Sequence, residues 1–307
     1  NPFTMIDKYG ADPVRFYMMT NSEPWDNLKF DEKGVDEVRR KFFGTLYNTY
    51  SFFSLYANVD DFDYSQPEVP LNERPEIDRW ILSALHSLIK GVDKELGNYD
   101  PTRAGRLIDN FVNDDLSNWY VRLNRKRFWG KEMSKDKLSA YQTLYSCLET
   151  VAKLLAPFAP FYSDQLYLDL TKATGRGGEQ SVHLAKYPEA DESFIDSDLE
   201  IRMGMAQKIT SMVLALRRKV NIKVRQPLQA IMIPAVDDEQ KNHIEAVKDL
   251  IKNEVNVKEL RFVEGSGVLV KKVKCNFRTM GKKFGKLMKG IACLLYTSPS
   301  PRDRSVS

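Results

Sequence analysis

Aromatic rings and positive charges alternate in one short stretch near the middle of the chain. Residues 118–129 read NWYVRLNRKRFW, and on a helix of about 100° per residue a single stripe roughly 80° wide holds both kinds of side chain. The stripe contains Trp119, Arg122, Lys126 and Trp129, with Arg125 at its edge. Flat rings set between cations suit a nucleic acid, because phosphates meet the charges and unstacked bases meet the rings.

An ordinary helix face is the competing interpretation of this stretch. Trp119 and Phe128 would then belong to the core, and the cations would form a rim in water. Like charges one turn apart, such as Arg122 and Lys126, cost an isolated helix roughly a few tenths of a kcal/mol. A polyanion reverses that repulsion, so the stretch by itself leaves both interpretations open.

Motifs of catalysis are absent from the rest of the sequence. It contains no GxGxxG, P-loop, GxSxG or HExxH pattern. The GRGG at residues 175–178 lacks the flanking strand and helix of a phosphate cradle. KEMSK, residues 131–135, resembles a KMSKS loop only superficially, because Glu132 interrupts it. The histidines read as structural or solvated: His86, His183 and His243. We therefore predict no catalytic residue.

Composition and charge set the class of protein. The 307 residues are 42% hydrophobic and 29% charged, with a formal net charge of +4, as expected for a chain of two ordinary domains. Cys147, Cys275 and Cys293 are widely separated, so we predict neither a metal site nor disulfides. No apolar run is long enough for a membrane helix. A cytoplasmic location without membrane contact is the expectation.

Helical periodicity dominates the segments that must position the stretch at residues 118–129. Apolar residues recur at steps of three and four through residues 31–56, 77–96, 100–129 and 138–155, and a further helix ends near Leu170. Asp100 and Pro101 suit an N-cap and a first helical position. Short connections between long helices predict a mainly α fold, an antiparallel helical bundle.

A second pattern follows the Gly-rich and polar residues 176–197. An amphipathic helix at residues 199–220 precedes the strand-like VRQPLQAIMIP, a polar helix, and two more strand candidates, VKELRFVE and GVLVKKVKCNF. This order predicts a small α/β domain after the bundle. Lysines then accumulate without acidic residues in residues 271–289, which indicates either phosphate contact or a solvated face.

The last residues have a different character. CLLYTSPSPRD, residues 293–303, resembles the translation of a transposase sequencing adapter, and RSVS could derive from an index sequence. We therefore predict that residues 293–307 are disordered and exclude them from the fold.

Several sequence segments across residues 1–292 together resemble the C-terminal part of the isoleucyl-tRNA synthetases. Residues 9–30 are similar to the segment just after the KMSKS loop. DDLSNWYVRLNRKRFW, LLAPFAPFYSDQLY and SVHL resemble the anticodon-binding bundle, and LRRKVNIKVRQPL and NEVNVKEL resemble the C-terminal extension. YGAD and NWY are shared with the valyl- and leucyl-tRNA synthetases. The scattered cysteines imply the zinc-free type.

The resemblance implies a division of the chain and a list of its missing parts. Residues 1–34 would end the catalytic core, 35–175 form the anticodon-binding domain, 176–197 a linker, and 198–292 the α/β extension. The catalytic domain, the editing domain and the KMSKS loop would precede Asn1. ATP and Mg²⁺ would be used by that catalytic domain, so this part alone is expected to bind no cofactor and to be inactive.

The resemblance also implies a partner and its contacts. The expected partner is tRNA(Ile), bound by a monomeric ligase. The residues expected to bind tRNA are Trp119, Arg122, Arg125, Lys126, Arg127 and Trp129, with weaker candidates at Arg225, Lys271, Lys272, Lys282 and Lys283. The alternatives are a fragment of a valyl- or leucyl-tRNA synthetase, or a free-standing helical RNA-binding protein.

Overall fold

The computed structural model describes residues 1–130, 132–235 and 237–264, which fall into two compact units. The first unit, Asn1–Ser211, is built from helices, and the second begins at Met212 and contains a small sheet. A mainly α bundle followed by an α/β unit confirms the predicted fold class. Within the described residues, no helix is both long enough and apolar enough to cross a bilayer.

The α-helices of the first unit follow one another through short connections. They are α1 (Pro2–Tyr9), α2 (Ala11–Asn21), α3 (Glu32–Val38), α4 (Gly44–Val59), α5 (Glu76–Gly97), α6 (Pro101–Asn110), α7 (Arg122–Phe128), α8 (Lys135–Leu155), α9 (Pro160–Thr174) and α10 (Ser197–Lys219), the last of which continues into the second unit. Short 3₁₀ turns lie at Leu71–Glu73, Val182–Leu184 and Glu192–Phe194.

Side-chain caps fix where several of these helices begin and end. Asp100 accepts a hydrogen bond from the Arg103 N–H at 2.9 Å, with Pro101 in the first helical position, as the sequence predicted. Ser134 caps α8 in the same way. Gly175 ends α9 in the left-handed region, with φ of 64°, which a glycine adopts without strain.

Two π-helical segments interrupt helices that the sequence predicted as continuous. Arg39–Phe43 joins α3 to α4, and Phe111–Val121 joins α6 to α7. A π-helix closes its hydrogen bonds one residue further along the chain than an α-helix and therefore has a wider turn. Because the angular step changes at Val121, a stripe drawn with a constant step of about 100° cannot continue across it.

The segment before the bundle is part of the first unit. Thr102 Oγ1 in α6 lies 2.7 Å from the Met19 carbonyl of α2, and Arg106 Nε donates to the Thr20 carbonyl at 2.9 Å. Asp12 accepts a hydrogen bond from the Tyr162 N–H at 2.6 Å, near the start of α9. Residues 1–34 therefore pack on the helices that follow them.

The connections that the sequence predicted as loops are also fixed to the helices. Between α4 and α5, the buried Arg74 donates to the Val69 carbonyl at 2.9 Å and to Thr143 Oγ1 at 2.8 Å. In the predicted linker, residues 176–197, the Asp191 N–H donates to His86 Nδ1 at 3.0 Å, and the His86 ring stacks on Phe194. Burial lowers the pKa of His86, which favours the neutral ring that accepts this hydrogen bond.

The second unit contains a parallel pair of strands, β1 (Leu228–Ala235) and β2 (Val257–Glu264), in which Leu228 pairs with Val257. Two helices, α11 (Asp238–Ala246) and α12 (Lys248–Val255), form the crossover that a parallel pair requires. Buried Arg217 donates to the Val255 and Asn256 carbonyls at 2.8 and 3.0 Å. The predicted strand GVLVKKVKCNF and residues 293–307 lie outside the described residues.

A carboxyl group with a raised pKa lies where the second π segment meets α10. Asp115 accepts a hydrogen bond from Gln207 Nε2 at 2.8 Å. Burial, with the neighbouring charges of Asp114 and Glu200, raises its pKa to about 6, although the Gln207 hydrogen bond acts in the opposite direction. Above pH 6 the fold therefore holds a carboxylate in a site that favours the protonated acid.

Asp115→Asn should remove this penalty and raise the free energy of unfolding at pH 7.5 by about 3 kcal/mol. Asp115 has a pKa of about 6 in the folded chain, against an ordinary 3.8, so the folded chain binds this proton more tightly than the unfolded chain. The protonated Asp115 therefore stabilises the fold fully below pH 3.8, and this stabilisation is lost as the pH rises through 6. The advantage of the variant should therefore shrink between pH 7.5 and pH 4 in thermal unfolding. An advantage independent of pH would contradict this, and Glu189→Gln, at an exposed carboxylate, is the control.

Candidate nucleic-acid interface

The short helix α7 exposes cations and an aromatic ring along one side. Arg122, Arg125 and Lys126 are exposed, and the Trp129 side chain just beyond the helix is 58% exposed. Neither Arg125 nor Lys126 forms an ion pair with any residue that the structure describes. We define these four residues, Arg122, Arg125, Lys126 and Trp129, as the cation face.

Helical geometry places the cation face on one side of the buried Phe128. With a step of about 100° per residue, Arg125, Trp129, Arg122 and Lys126 lie at about 60°, 100°, 120° and 160° from Phe128 in one direction. Arg127 lies about 100° away in the other direction. The run of basic residues therefore divides into an outward group and one inward residue.

Arg127 points into the bundle, and its guanidinium is fully used there. Nη1 donates to Asp78 Oδ1 at 2.6 Å and to Asn124 Oδ1 at 3.0 Å, and Nη2 donates to Asp78 Oδ2 at 2.8 Å. Nε and Nη2 also donate to the carboxylate and the carbonyl of Asp136, at 2.9 and 2.8 Å. These five hydrogen bonds equal the five N–H donors of an arginine. We expected Arg127 to bind tRNA. In the structure its side chain stabilises the fold, and none of its N–H donors remains for a phosphate.

Asp78 is the acceptor at the centre of this network. Its side chain is completely buried in the first turn of α5 and also accepts hydrogen bonds from the Tyr120 hydroxyl at 2.8 Å and Ser139 Oγ at 2.6 Å. Burial and the nearby Asp78 charge raise the pKa of Tyr120, so its hydroxyl remains a donor. Burial opposes the charge of Arg127, but the hydrogen bonds to Asp78 outweigh it and raise the pKa of Arg127.

The motifs of the sequence do not reveal this network, but the position of Asp78 on α5 is a signal for it. Asp78 precedes Ile81 by three residues and Leu85 by seven, so it shares the buried face of α5. An acidic residue in phase with an apolar face must find a cation in the core, because an unpaired buried charge is costly. The sequence could not identify the cation, since several arginines follow at comparable distances.

Trp119 also lies inside the bundle. Its side chain is 4% exposed and is part of the second π segment, whose wider turn directs Leu116, Trp119 and Tyr120 inward. Arg122 covers the outer side, with its guanidinium carbon 5.7 Å from the Trp119 ring centroid and its Nε donating to the Asn118 carbonyl at 2.8 Å. Trp119 therefore supports the cation face from below, as a core residue.

The remaining predicted contacts lie in or beyond the second unit. Arg225 is exposed in the segment before β1. Lys271, Lys272, Lys282 and Lys283 lie outside the described residues. Within the described part of the chain, no group of His, Cys, Asp or Glu side chains is arranged to hold a metal ion, and Cys147 is buried. What the described side chains offer is therefore a positive surface with an exposed ring, suited to binding an anion that carries flat groups.

A helical bundle with such a surface is the architecture of an anticodon-binding domain. Residues 78–232 match the family model described as the anticodon-binding domain of tRNA ligase. This match covers half of the chain, and the chain belongs to that family.

The relatives identify the branch of the family. The chain is similar to Isoleucine--tRNA ligase of Bacteroides thetaiotaomicron, with 71% identity over 293 residues, 95% of this chain and 25% of the relative. The same ligase of Porphyromonas gingivalis is 62% identical, with the same coverage. That of Dehalococcoides mccartyi strain 195 is 45% identical over 88% of this chain and 26% of the relative. The resemblance to isoleucyl-tRNA synthetases is confirmed, and the chain spans about a quarter of the length of these relatives.

A solved ternary complex of Agrobacterium radiobacter LeuRS, tRNA and LeuAMS is a distant structural neighbour. It aligns with 64% of this chain and 22% of that chain, with a TM-score of 0.48 and 18% sequence identity. At this distance the likeness carries no argument about function.

The inward position of Arg127 predicts that substitutions of Arg125 and Arg127 differ in their effect on the free energy of unfolding. Arg127→Ala leaves the buried Asp78 carboxylate without its cation, and we expect the free energy of unfolding to fall by about 3–5 kcal/mol. Arg125→Ala, on the exposed side of the same helix, should change it by less than about 0.5 kcal/mol. Urea unfolding followed by circular dichroism measures both, and equal stability of the Arg127 variant and the unmodified chain would contradict the network.

Proposed function

We propose that this chain recognises the anticodon stem and loop of tRNA(Ile) and is the anticodon-binding part of an isoleucine--tRNA ligase. In this proposal the parent enzyme is a monomeric cytoplasmic ligase. Its catalytic domain uses ATP and Mg²⁺, and the present chain supplies binding and orientation. Holding the tRNA so that its acceptor end reaches the catalytic domain lowers the entropic cost of the reaction.

The observation that carries the proposal is the cation face of α7. Some surface cations elsewhere on the bundle have partners, such as Lys90 with Glu192 and Lys135 with Glu73. Arg125 and Lys126, by contrast, are exposed without an ion pair among the described residues, and they repel each other. Such a surface is favourable when a polyanion is bound, because each phosphate contact also releases condensed counterions.

Trp129 adds a second kind of contact to these charges. Its ring is more than half exposed at the end of α7, one turn beyond Arg125. An exposed indole stacks on an unpaired base, with a gain that depends little on the identity of the base. The combination of phosphate contacts and stacking favours a stem that ends in a loop over a continuous duplex.

The salt dependence of binding tests the proposal. Arg125→Ala with Lys126→Ala should weaken the affinity of the chain for a Bacteroides thetaiotaomicron tRNA(Ile) transcript. The slope of log K against log salt concentration should fall in magnitude by about 1.5, because each lost phosphate contact removes roughly 0.7 to 0.9. Filter binding or fluorescence anisotropy at several salt concentrations measures this slope.

The control removes the same charge from another surface. Lys94→Ala with Lys172→Ala, at exposed positions of α5 and α9, should leave the slope unchanged. A slope that falls equally in both variants would show that only net charge matters. Equal affinity for tRNA(Ile) and for unrelated RNA hairpins would instead favour the free-standing RNA-binding protein.

A further inference from the structure

A cavity in the first unit lies between the segment before the bundle and the bundle itself. Its volume is about 320 Å³, near the lower end of the range of roughly 300–1,000 Å³ for ligand pockets, so it suits a small ligand. Its wall comes from α2, α3 and α6 and from both π segments, which contribute Phe42 and Asn113. Turns of π-helix are frequent at functional sites, which makes this cavity a candidate for one.

The apolar part of the cavity wall is preformed. It consists of Tyr17 in α2, Val38 in α3 and Phe42 in the first π segment. The Phe42 ring stacks on Phe16 with centroids 4.3 Å apart, and the Tyr17 hydroxyl accepts a hydrogen bond from the Asp31 N–H at 3.0 Å. These contacts hold both rings in place without a ligand.

The two cations of the wall already have carboxylate partners. Lys41 forms an ion pair with Glu37. Arg106 Nε donates to the Thr20 carbonyl at 2.9 Å, and Arg106 Nη1 lies 3.7 Å from Glu23 Oε1. Neither cation is therefore needed to neutralise another residue, and neither is free to hold an anion.

Asp109 is the carboxylate of the wall that forms no ion pair with any residue that the structure describes. Its Oδ1 accepts a hydrogen bond from Asn113 Nδ2 at 2.7 Å, which leaves Oδ2 for a ligand. Burial and the nearby charge of Asp114 raise the pKa of Asp109, although the Asn113 hydrogen bond acts in the opposite direction. A partly buried carboxylate without a cation is unfavourable, and a positively charged ligand would remove this cost.

We propose that this cavity is a binding site for an aliphatic amine. The ammonium group donates a hydrogen bond to Asp109 Oδ2, and the carbon chain lies along Tyr17, Val38 and Phe42. The inference goes beyond the proposed function and does not depend on it, because no nucleic acid takes part.

The charges of the wall select an amine over other small ligands. Since both cations of the wall have their own carboxylates, the charge left over is the negative charge of Asp109, and one ammonium group neutralises it. A zwitterionic amino acid would add a carboxylate for which the wall has no unpaired cation. A free amine and the lysine side chain of a polypeptide share the required chemistry.

Isothermal titration calorimetry of the full chain, without RNA, tests the site with three probes of similar shape. n-Pentylamine carries the ammonium group alone, norleucine adds a carboxylate to the same skeleton, and 1-pentanol is uncharged. We expect n-pentylamine to bind about ten- to hundredfold more tightly than the other two probes, because the ammonium group makes the hydrogen bond between opposite charges.

Two variants separate the carboxylate from the apolar wall. Asp109→Asn keeps an acceptor for the Asn113 hydrogen bond, and it should weaken the binding of n-pentylamine about ten- to hundredfold. Val38→Thr exchanges a methyl group for a hydroxyl group, and it should weaken this binding about threefold. The matched control is Asp93→Asn, at an exposed carboxylate of α5, which should leave the affinity unchanged. Circular dichroism confirms that the variants fold.

Two further probes identify the source of the amine. Cadaverine represents a free diamine, and Nα-acetyl-lysine amide represents the lysine side chain of a polypeptide. Binding of either probe that is lost in Asp109→Asn supports the site, and the tighter of the two indicates the source.

The proposal is wrong if none of the amines binds, or if Asp109→Asn binds n-pentylamine as the unmodified chain does. Equal affinities for n-pentylamine and norleucine, or for n-pentylamine and 1-pentanol, would also overturn it, because the charge of the ligand would then not matter. The salt dependence of tRNA binding is measured separately at the cation face, so a failure of the amine site leaves the proposed function standing.

Discussion

The carboxylate of Asp78 is completely buried, and the arrangement of the first unit follows from the groups that neutralise it. Arg127 supplies the charge, and Tyr120 and Ser139 supply further hydrogen bonds, so α5, the second π segment, α7 and α8 meet at one carboxylate. A charge in the interior is tolerated only when it is paired and hydrogen-bonded. The orientation of α7 about its axis is fixed by this requirement, because Arg127 can reach Asp78 from only one side of the helix.

The outward direction of the cation face is a consequence of this inward contact. Once Arg127 faces Asp78, the helical step turns Arg125, Lys126 and Trp129 towards the surface. Arg125 and Lys126 would repel each other in a free helix, and the packing of Phe128 against Phe52 holds α7 in place. A buried ion pair thus positions the positive surface on which the proposed function rests. Lys137 also ties the end of α4 to the end of α7, through Asp60 and the Gly130 carbonyl.

Local signals in the sequence were sufficient for much of the fold. The apolar period located the long helices, the Asp100 and Pro101 pair marked the start of α6, and the strand-like runs VRQPLQAIMIP and VKELRFVE predicted β1 and β2. The π segments were not predicted, because a change in helical step leaves no marker in residue type. Trp119 was grouped with the cations because it falls in their stripe, although it also lies beside the apolar face of Leu116, Tyr120 and Leu123. The resemblance placed Arg127 among the residues expected to bind tRNA. Its contact with Asp78 could not be foreseen, because the two residues are far apart in the sequence and only the tertiary structure brings them together.

The central claim is that neighbouring arginines of one basic run have different tasks, Arg125 at the surface and Arg127 in the core. Modification by phenylglyoxal, an arginine-specific reagent, followed by mass spectrometry of the chain with and without tRNA(Ile), tests it most directly. Arg125 should react in the free chain and be protected by tRNA, and Arg127 should stay unreactive in both states. An Arg127 that reacts in the free chain and is protected by tRNA, or an Arg125 that tRNA leaves reactive, would contradict the account.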